Sequence, residues 1–270
     1  MNTIASEGPR PQLSLDVETD ASGRNRVVRR HVSWPWSLPR GFRLHGPRGP
    51  LTVLPQAAAA ALLSGDQWRQ EIRVSRDGQL RLVEAGATLV HAGPHGPGSL
   101  TWQLDVADEC TLAFFAQPFV LMAGARLQQE IQLCLSESGT AILFEGFCLR
   151  DTCPNPAIGW QSELAVERPD RRLVLRDAQL VDGAGLLRLD RLCRPARAFG
   201  SVTVLAPARR LELLRQDLPG GAFGCDGGYA AIGALRGDMG LTLRLVCADG
   251  GALSRILADV QVRIDRRLFH

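Results

Sequence analysis

Hydrophobic and polar residues alternate along much of the chain, and turn residues separate the alternating runs. Strict alternation covers residues 100–106, a second long period-two run covers 127–135, and shorter runs follow at 173–175, 202–204 and 241–245. A period of two places the apolar side chains on one face of a β-strand. The pattern therefore predicts half-buried strands over nearly the whole chain.

A turn followed by a strand recurs about every 30 residues, beginning at Asp77, Asp108 and Ser138. Stacked layers of sheet would produce this repeat, and so would an antiparallel protein with regularly spaced turns. The Asp77-Gly78 pair also lies between the alternating runs 72–74 and 80–82. An Asp-Gly turn flanked in this way predicts a two-stranded hairpin.

Two segments near the C-terminus have the period of a helix. Residues 208–218 are rich in Arg and Leu and end at a Pro-Gly-Gly sequence, and residues 252–268 carry their apolar side chains on one helical face. Asp249 is suited to cap the second of these helices. The glycines in 182–185 are interpreted as loop residues.

These elements predict a mainly β fold of stacked or layered sheets, either a β-solenoid-like or a sandwich body, with two helices in the C-terminal part. Residues 1–25 are polar and contain Gly and Pro. They predict a mobile N-terminal segment, or alternatively an edge strand at 12–17. Residues 26–270 are expected to form a single domain. The apolar stretch 111–125 is too short for a membrane helix and is interpreted as buried strand.

Composition excludes several kinds of chemistry. The chain has 270 residues, with 31 basic and 28 acidic side chains, and every basic residue is Arg. Without lysine there can be no Schiff-base lysine and no phosphate-binding lysine of a P-loop. The near balance of charge argues against a nucleic-acid partner. Seven Cys without the spacing of a disulfide framework, and an N-terminus without an apolar core, predict a cytoplasmic protein.

The only close histidine pair is His91 and His95, and Gly93-Pro94 between them prevents a helix. As loop residues they are candidate metal ligands together with Cys148 or Cys153, or they are ordinary loop histidines. No other combination of residues indicates a catalytic site, and most cysteines are interpreted as buried thiols.

Three blocks in a fixed order resemble the UreD (UreH) family of urease accessory proteins, over about residues 62–268. The first is 62–66 with the strand 71–74, the second is Gly86-Ala87-Thr88, and the third is 117–126 leading into 144–149. The chain departs from the family at two often acidic positions, which hold Pro118 and Ala123.

This resemblance implies a non-enzymatic scaffold that binds urease apoprotein and UreF, and through UreF the GTPase UreG, during nickel insertion. We expect no tightly bound cofactor, nickel at most in transit, and no membrane partner. The candidates for partner binding or a passage are the family residues Asp66, Thr88, Gln117, Glu145 and Cys148. Glu145 lies in an apolar strand, where a carboxylate is costly unless it is paired with Arg or lines a polar passage. The alternative function is a metal or cysteine enzyme that uses His91, His95, Cys148 and Cys153.

Overall fold

The computed structural model describes residues 10–59, 61–150, 156–192, 196–218, 221–225 and 228–269. The first strands are β1 (Leu13–Thr19), β2 (Asn25–Val32), β3 (Trp36–Ser37), β4 (Leu51–Val53), β5 (Gln56–Ala57), β6 (Ala61–Leu62), β7 (Gln67–Ser75), β8 (Gln79–Val83), β9 (Leu89–Val90) and β10 (Gly98–Val106). They are followed by β11 (Thr111–Phe115), β12 (Phe119–Leu121), β13 (Arg126–Leu135), β14 (Thr140–Leu149), β15 (Gly159–Glu167), β16 (Leu173–Asp182), β17 (Ala198–Leu205), β18 (Gly221–Cys225), β19 (Gly228–Ala234) and β20 (Gly240–Cys247). The helices are α1 (Gly183–Leu192), α2 (Ala208–Asp217) and α3 (Gly250–Leu268).

Within these ranges the strands form two large sheets and one short two-stranded ribbon, β3 with β5. The outer sheet has seven strands in the order β16-β15-β13-β10-β7-β1-β2. The central sheet has eleven strands, with the path β18-β19-β20-β17-β14-β11-β8-β4 and the short strands β6, β9 and β12 beside it.

The middle of the chain winds as a β-solenoid. Strands β7, β10, β13 and β15 stack in parallel in the outer sheet, and β4, β8, β11 and β14 do so in the central sheet. Gln79, Thr111 and Thr140 stand in register on successive coils. These positions follow the turns that begin at Asp77, Asp108 and Ser138, so stacked coils explain the repeat and confirm the predicted fold class.

The molecule has three layers because the central sheet is apolar on both faces. On β11, Leu112 and Phe114 face the outer sheet, whereas Ala113 and Phe115 face α2 and α3. The same division continues along β14, whose residues 140–147 are all buried. Two separate hydrophobic cores therefore lie on either side of one sheet.

The predicted hairpin at Asp77-Gly78 is wrong. Strand β7 belongs to the outer sheet and β8 to the central sheet, and each pairs with strands of other coils. Arg76 and Asp77 have positive φ values of 51° and 56°, which turn the chain from one sheet to the other. Val74 and Leu80 are both fully buried in the core between the sheets. The turn is thus a corner of the solenoid.

The N-terminal segment differs from the predicted mobile tail over residues 10–25, while residues 1–9 lie outside the described ranges. Strand β1 pairs in parallel with β7 and antiparallel with β2, so β2 and not β1 is the edge strand. Leu13, Leu15 and Val17 are fully buried. Their alternation holds this segment in the core between the sheets.

The two predicted helices are confirmed as α2 and α3. The Asp249 side chain caps α3 by accepting a hydrogen bond from the Ala252 N–H at 2.8 Å. The described ranges contain a third helix, α1, which begins at the glycines interpreted as loop residues. Asp182 accepts a hydrogen bond from the Gly185 N–H at 2.6 Å, which satisfies one free donor of the first turn of α1.

Candidate functional site

A group of polar side chains lies inside the core between the two sheets. The parallel register of β13 and β15 places Gln129 beside Ser162 in the outer sheet. The antiparallel register of β14 and β17 places Glu145 beside Ser201 in the central sheet. These four residues, here called the interior polar row, are between 1% and 7% exposed. Burial of so many polar atoms requires that they bond to one another.

The Glu145 carboxylate is the common acceptor of the interior polar row. Oε1 accepts hydrogen bonds from Gln129 Nε2 at 2.8 Å and from Ser162 Oγ. Oε2 accepts from Ser201 Oγ at 3.4 Å. Gln129 Nε2 also donates to Ser162 Oγ at 3.2 Å. The sequence left two possibilities for Glu145, an Arg pair or a polar lining, and its direct contacts are amide and hydroxyl groups.

An ion pair continues the polar lining toward the surface. Arg244, beside Ser201 in the next strand, donates to Asp177 at 2.5 Å, and Gln179 donates to the same carboxylate at 3.3 Å. The side chains of Arg244 and Asp177 are 36% and 23% exposed. Within the described ranges, Arg244 Nη1 and Thr242 Oγ1 are buried without a hydrogen-bond partner. Polar groups therefore extend from the interior to a partly exposed rim.

Burial raises the pKa of the Glu145 carboxyl group above its ordinary value. The hydrogen bond from Ser162 opposes this rise, the negative charge of Asp177 adds to it, and Arg244 opposes it. A carboxyl group in such surroundings holds a proton more readily than an exposed one does.

Thr88 and Gln117 lie in a different place, around a glutamate that the sequence did not single out. The Gln117 backbone N–H donates to Glu84 Oε2 at 2.9 Å. Thr88 and Glu84 both line a cavity of about 260 Å³. Desolvation raises the pKa of Glu84 to about 7. No sequence signal marks Glu84, because it follows a strand in an ordinary-looking loop.

The remaining family candidates lie apart from the interior polar row. Asp66 accepts a hydrogen bond from the Leu63 N–H at 2.9 Å, which is the role of a turn residue. Cys148 is three residues from Glu145 and faces α3, where a Cβ added to Gly250 would lie 2.8 Å from its Sγ. Burial raises the pKa of the Cys148 thiol.

The structure shows hydrogen bonds from the backbone N–H groups of the two candidate metal ligands, His91 and His95. The His91 N–H donates to the Leu62 carbonyl at 3.0 Å, and the His95 N–H donates to Ser64 Oγ at 2.9 Å. In the part of the chain that the structure describes, no three His, Cys, Asp or Glu side chains form a group that could hold a metal ion. Cys153 lies outside that part.

A family model described as UreD urease accessory protein matches residues 10–269. The chain belongs to the UreD family. The match spans the N-terminal strand β1, the solenoid and α3. It is longer than residues 62–268, over which the sequence blocks resemble the family. UreD membership supports a role in urease maturation.

Individual relatives agree with this assignment. The chain is 32% identical over 255 residues to urease accessory protein UreD 3 of Bradyrhizobium sp. strain ORS 278, covering 93% of this chain and 89% of the relative. It is 31% identical over 259 residues to UreD 1 of Bradyrhizobium sp. strain BTAi1, covering 94% and 90%. It is 28% identical over 249 residues to UreD of Mycolicibacterium smegmatis, covering 91% and 88%. Among the described residues, no helix has the length and apolar character to cross a membrane.

Proposed function

We propose that this UreD-family chain is a non-catalytic maturation factor that binds urease apoprotein and UreF, and UreG through UreF, while nickel is inserted into urease. The observation that carries the proposal is the family match over residues 10–269. The relatives are named urease accessory proteins, which agrees with a role other than catalysis. A cytoplasmic location stays a prediction from the sequence.

The interior polar row supports a passage for nickel as cargo. Carboxylate, amide and hydroxyl oxygens are suitable transient ligands for a borderline cation. Glu145 is the only ionisable member of the row, and the Asp177 carboxylate lies nearer the surface. We place Glu145 at the centre of this passage, although the often acidic positions 118 and 123 hold Pro and Ala.

Co-purification tests the scaffold role directly. The tagged chain is coexpressed with the cognate urease subunits and UreF, and the bound proteins are identified by mass spectrometry. We expect urease subunits or UreF to be retained. Recovery of neither protein with a folded, tagged chain would contradict the proposed partners.

The passage is tested separately with Glu145→Gln, which keeps the size of the side chain, removes the ionisable group and replaces one acceptor oxygen by an NH2 donor. We expect the complex to form as before, and the nickel content of the coexpressed urease to fall several-fold. Glu137→Gln, at an exposed glutamate, is the matched control. Full nickel loading with Glu145→Gln would rule out the passage and leave the scaffold role standing.

A further inference from the structure

The cavity that contains Glu84 lies apart from the interior polar row. Its walls come from β3, from β5 and the residue before it, and from the loop between β8 and β9, including Trp36, Pro55, Ala57 and Thr88. Trp36 and Pro55 are buried, whereas residues 85–87 are exposed at the rim. A volume of about 260 Å³ is smaller than most sites for drug-sized ligands and suits a single side chain or a small molecule.

Glu84 supplies one charged group to this mainly apolar cavity. Its Oε2 accepts the Gln117 backbone N–H at 2.9 Å, and the described residues include no Arg or His within ion-pair distance of it. A carboxylate can accept about four hydrogen bonds, so most of its capacity is available. Desolvation raises the pKa of Glu84 to about 7, so its charged form is disfavoured, and the residue is half-buried.

The charge of Glu84 and the shape of the cavity limit the chemical class of ligand that can bind. A divalent metal ion needs several donor side chains, and the described residues around Glu84 form no such group. A guanidinium binds best as a fork to both oxygens of a carboxylate, and the Gln117 N–H competes with such a fork at Oε2. An alkylammonium ion is a compact point charge on an apolar stem, so it suits a single acceptor oxygen at an apolar wall.

We propose that this cavity binds an alkylammonium group, namely the side chain of a lysine on a partner protein. The chain contains no lysine, so the group must come from another molecule. Glu84 pairs with the ammonium ion, and the small residues Ala57, Ala85 and Ala87 leave room for its methylene stem. The protein source rests on the proposed function, since the partners meant are urease apoprotein and UreF.

The chemistry of the site is tested on the full chain with n-butylamine, which reproduces a lysine side chain. We expect a saturable rise in melting temperature that equal concentrations of NaCl and n-butanol do not produce. Glu84→Gln should weaken the apparent binding at least tenfold, whereas Glu137→Gln should leave it unchanged. Ala87→Leu, which fills the cavity and keeps the carboxylate, should also abolish the rise. An equal response of wild type and Glu84→Gln would overturn the proposal.

The protein source is tested on the purified complex with a carbodiimide, which joins a carboxylate directly to an amine in contact with it. We expect mass spectrometry to find an isopeptide bond between Glu84 and a partner lysine, and Glu84→Gln to weaken the complex several-fold. A complex of full strength without this bond would overturn the lysine site and leave the proposed function intact. Binding of n-butylamine by a chain that forms no complex would overturn the protein source.

Discussion

Two glutamates with raised pKa values, Glu84 and Glu145, differ in the number of donors around them. Glu145 receives hydrogen bonds from Gln129, Ser162 and Ser201. Among the described residues, one donor bonds to the Glu84 carboxylate, the Gln117 N–H. The donors around Glu145 oppose the rise in pKa that burial causes, whereas Glu84 has a single donor to oppose it. Glu84 therefore carries a cost in stability that an external cation would remove.

The pKa of Glu84 makes stability depend on pH. It rises from 4.5 to about 7 on folding, so the folded protein keeps a proton that the unfolded chain has lost over this range. The free energy of unfolding should then fall as pH rises from about 4.5 to about 7. As pH rises from 4.5 to 8, the free energy of unfolding of Glu84→Gln should increase by about 2 kcal/mol relative to that of wild type, allowing for screening by solvent.

Urea unfolding of both proteins at several pH values checks this prediction. Glu137→Gln serves as the control because its side chain is exposed. A constant difference between wild type and Glu84→Gln across this range would show that Glu84 titrates normally in the folded protein.

At the scale of the elements, the packing of α3 on the central sheet depends on a pair of glycines. Gly146 of β14 and Gly200 of β17 lie opposite each other, and a Cβ on Gly200 would be 2.7 Å from Leu253 Cδ1 of α3. A Cβ on Gly146 would be 2.6 Å from the Phe199 carbonyl oxygen. The absence of side chains here lets the helix approach the sheet closely.

We expect Gly146→Ala to destabilise the protein by about 1–3 kcal/mol, because a backbone carbonyl cannot move aside easily. Gly200→Ala should cost less, since the Leu253 side chain can change its rotamer. Gly233→Ala is the control, as its Cβ would meet nothing within 4 Å. Chemical denaturation of the three variants measures their order of stability. Equal stability of the Gly146 and Gly233 variants would contradict the predicted order.

The far end of α3 is anchored by an ion pair. Arg81 of β8, which is 3% exposed, donates to both carboxylate oxygens of Asp265, at 3.0 and 2.5 Å. It also donates to Thr52 Oγ1 at 3.1 Å. Removal of one member of a buried pair leaves the other charge uncompensated.

Asp265→Ala is therefore expected to cost about 3–5 kcal/mol, whereas the double variant Arg81→Met, Asp265→Leu should recover most of that loss. Urea unfolding measures both changes, and hydrogen exchange of α3 reports whether the helix loosens locally. A double variant no more stable than Asp265→Ala would show that the geometry of the pair, and not its uncompensated charge, accounts for the loss.

At the scale of the whole molecule, the sequence predicted the elements better than their pairing. Alternation identified β10 and β13 because each has one apolar face, and the repeat at Asp77, Asp108 and Ser138 identified the coils. Alternation does not determine which strands pair, so the corner at Asp77-Gly78 resembled a hairpin. The alternation of Leu13, Leu15 and Val17 indicates the strand β1, but the polar residues around them favoured the prediction of a mobile segment.

The candidate site was predictable only in part. Glu145 was detected because a charge within an apolar strand is unusual. Its partners Gln129, Ser162 and Ser201 lie on three other strands, and only the registers of two sheets bring them together. Glu84 gave no signal, because the cavity that it lines is formed with Trp36 and Pro55 from distant parts of the chain.

The three-layer arrangement has a consequence for synthesis on the ribosome. Each solenoid coil pairs with the coil before it, so the coils can form as the chain emerges. Phe115 and Phe144, however, belong to the core that Leu253 and Ile264 of α3 complete. The nascent chain therefore carries an uncovered apolar sheet face until α3 has left the exit tunnel, and such transiently exposed apolar surface is prone to aggregation.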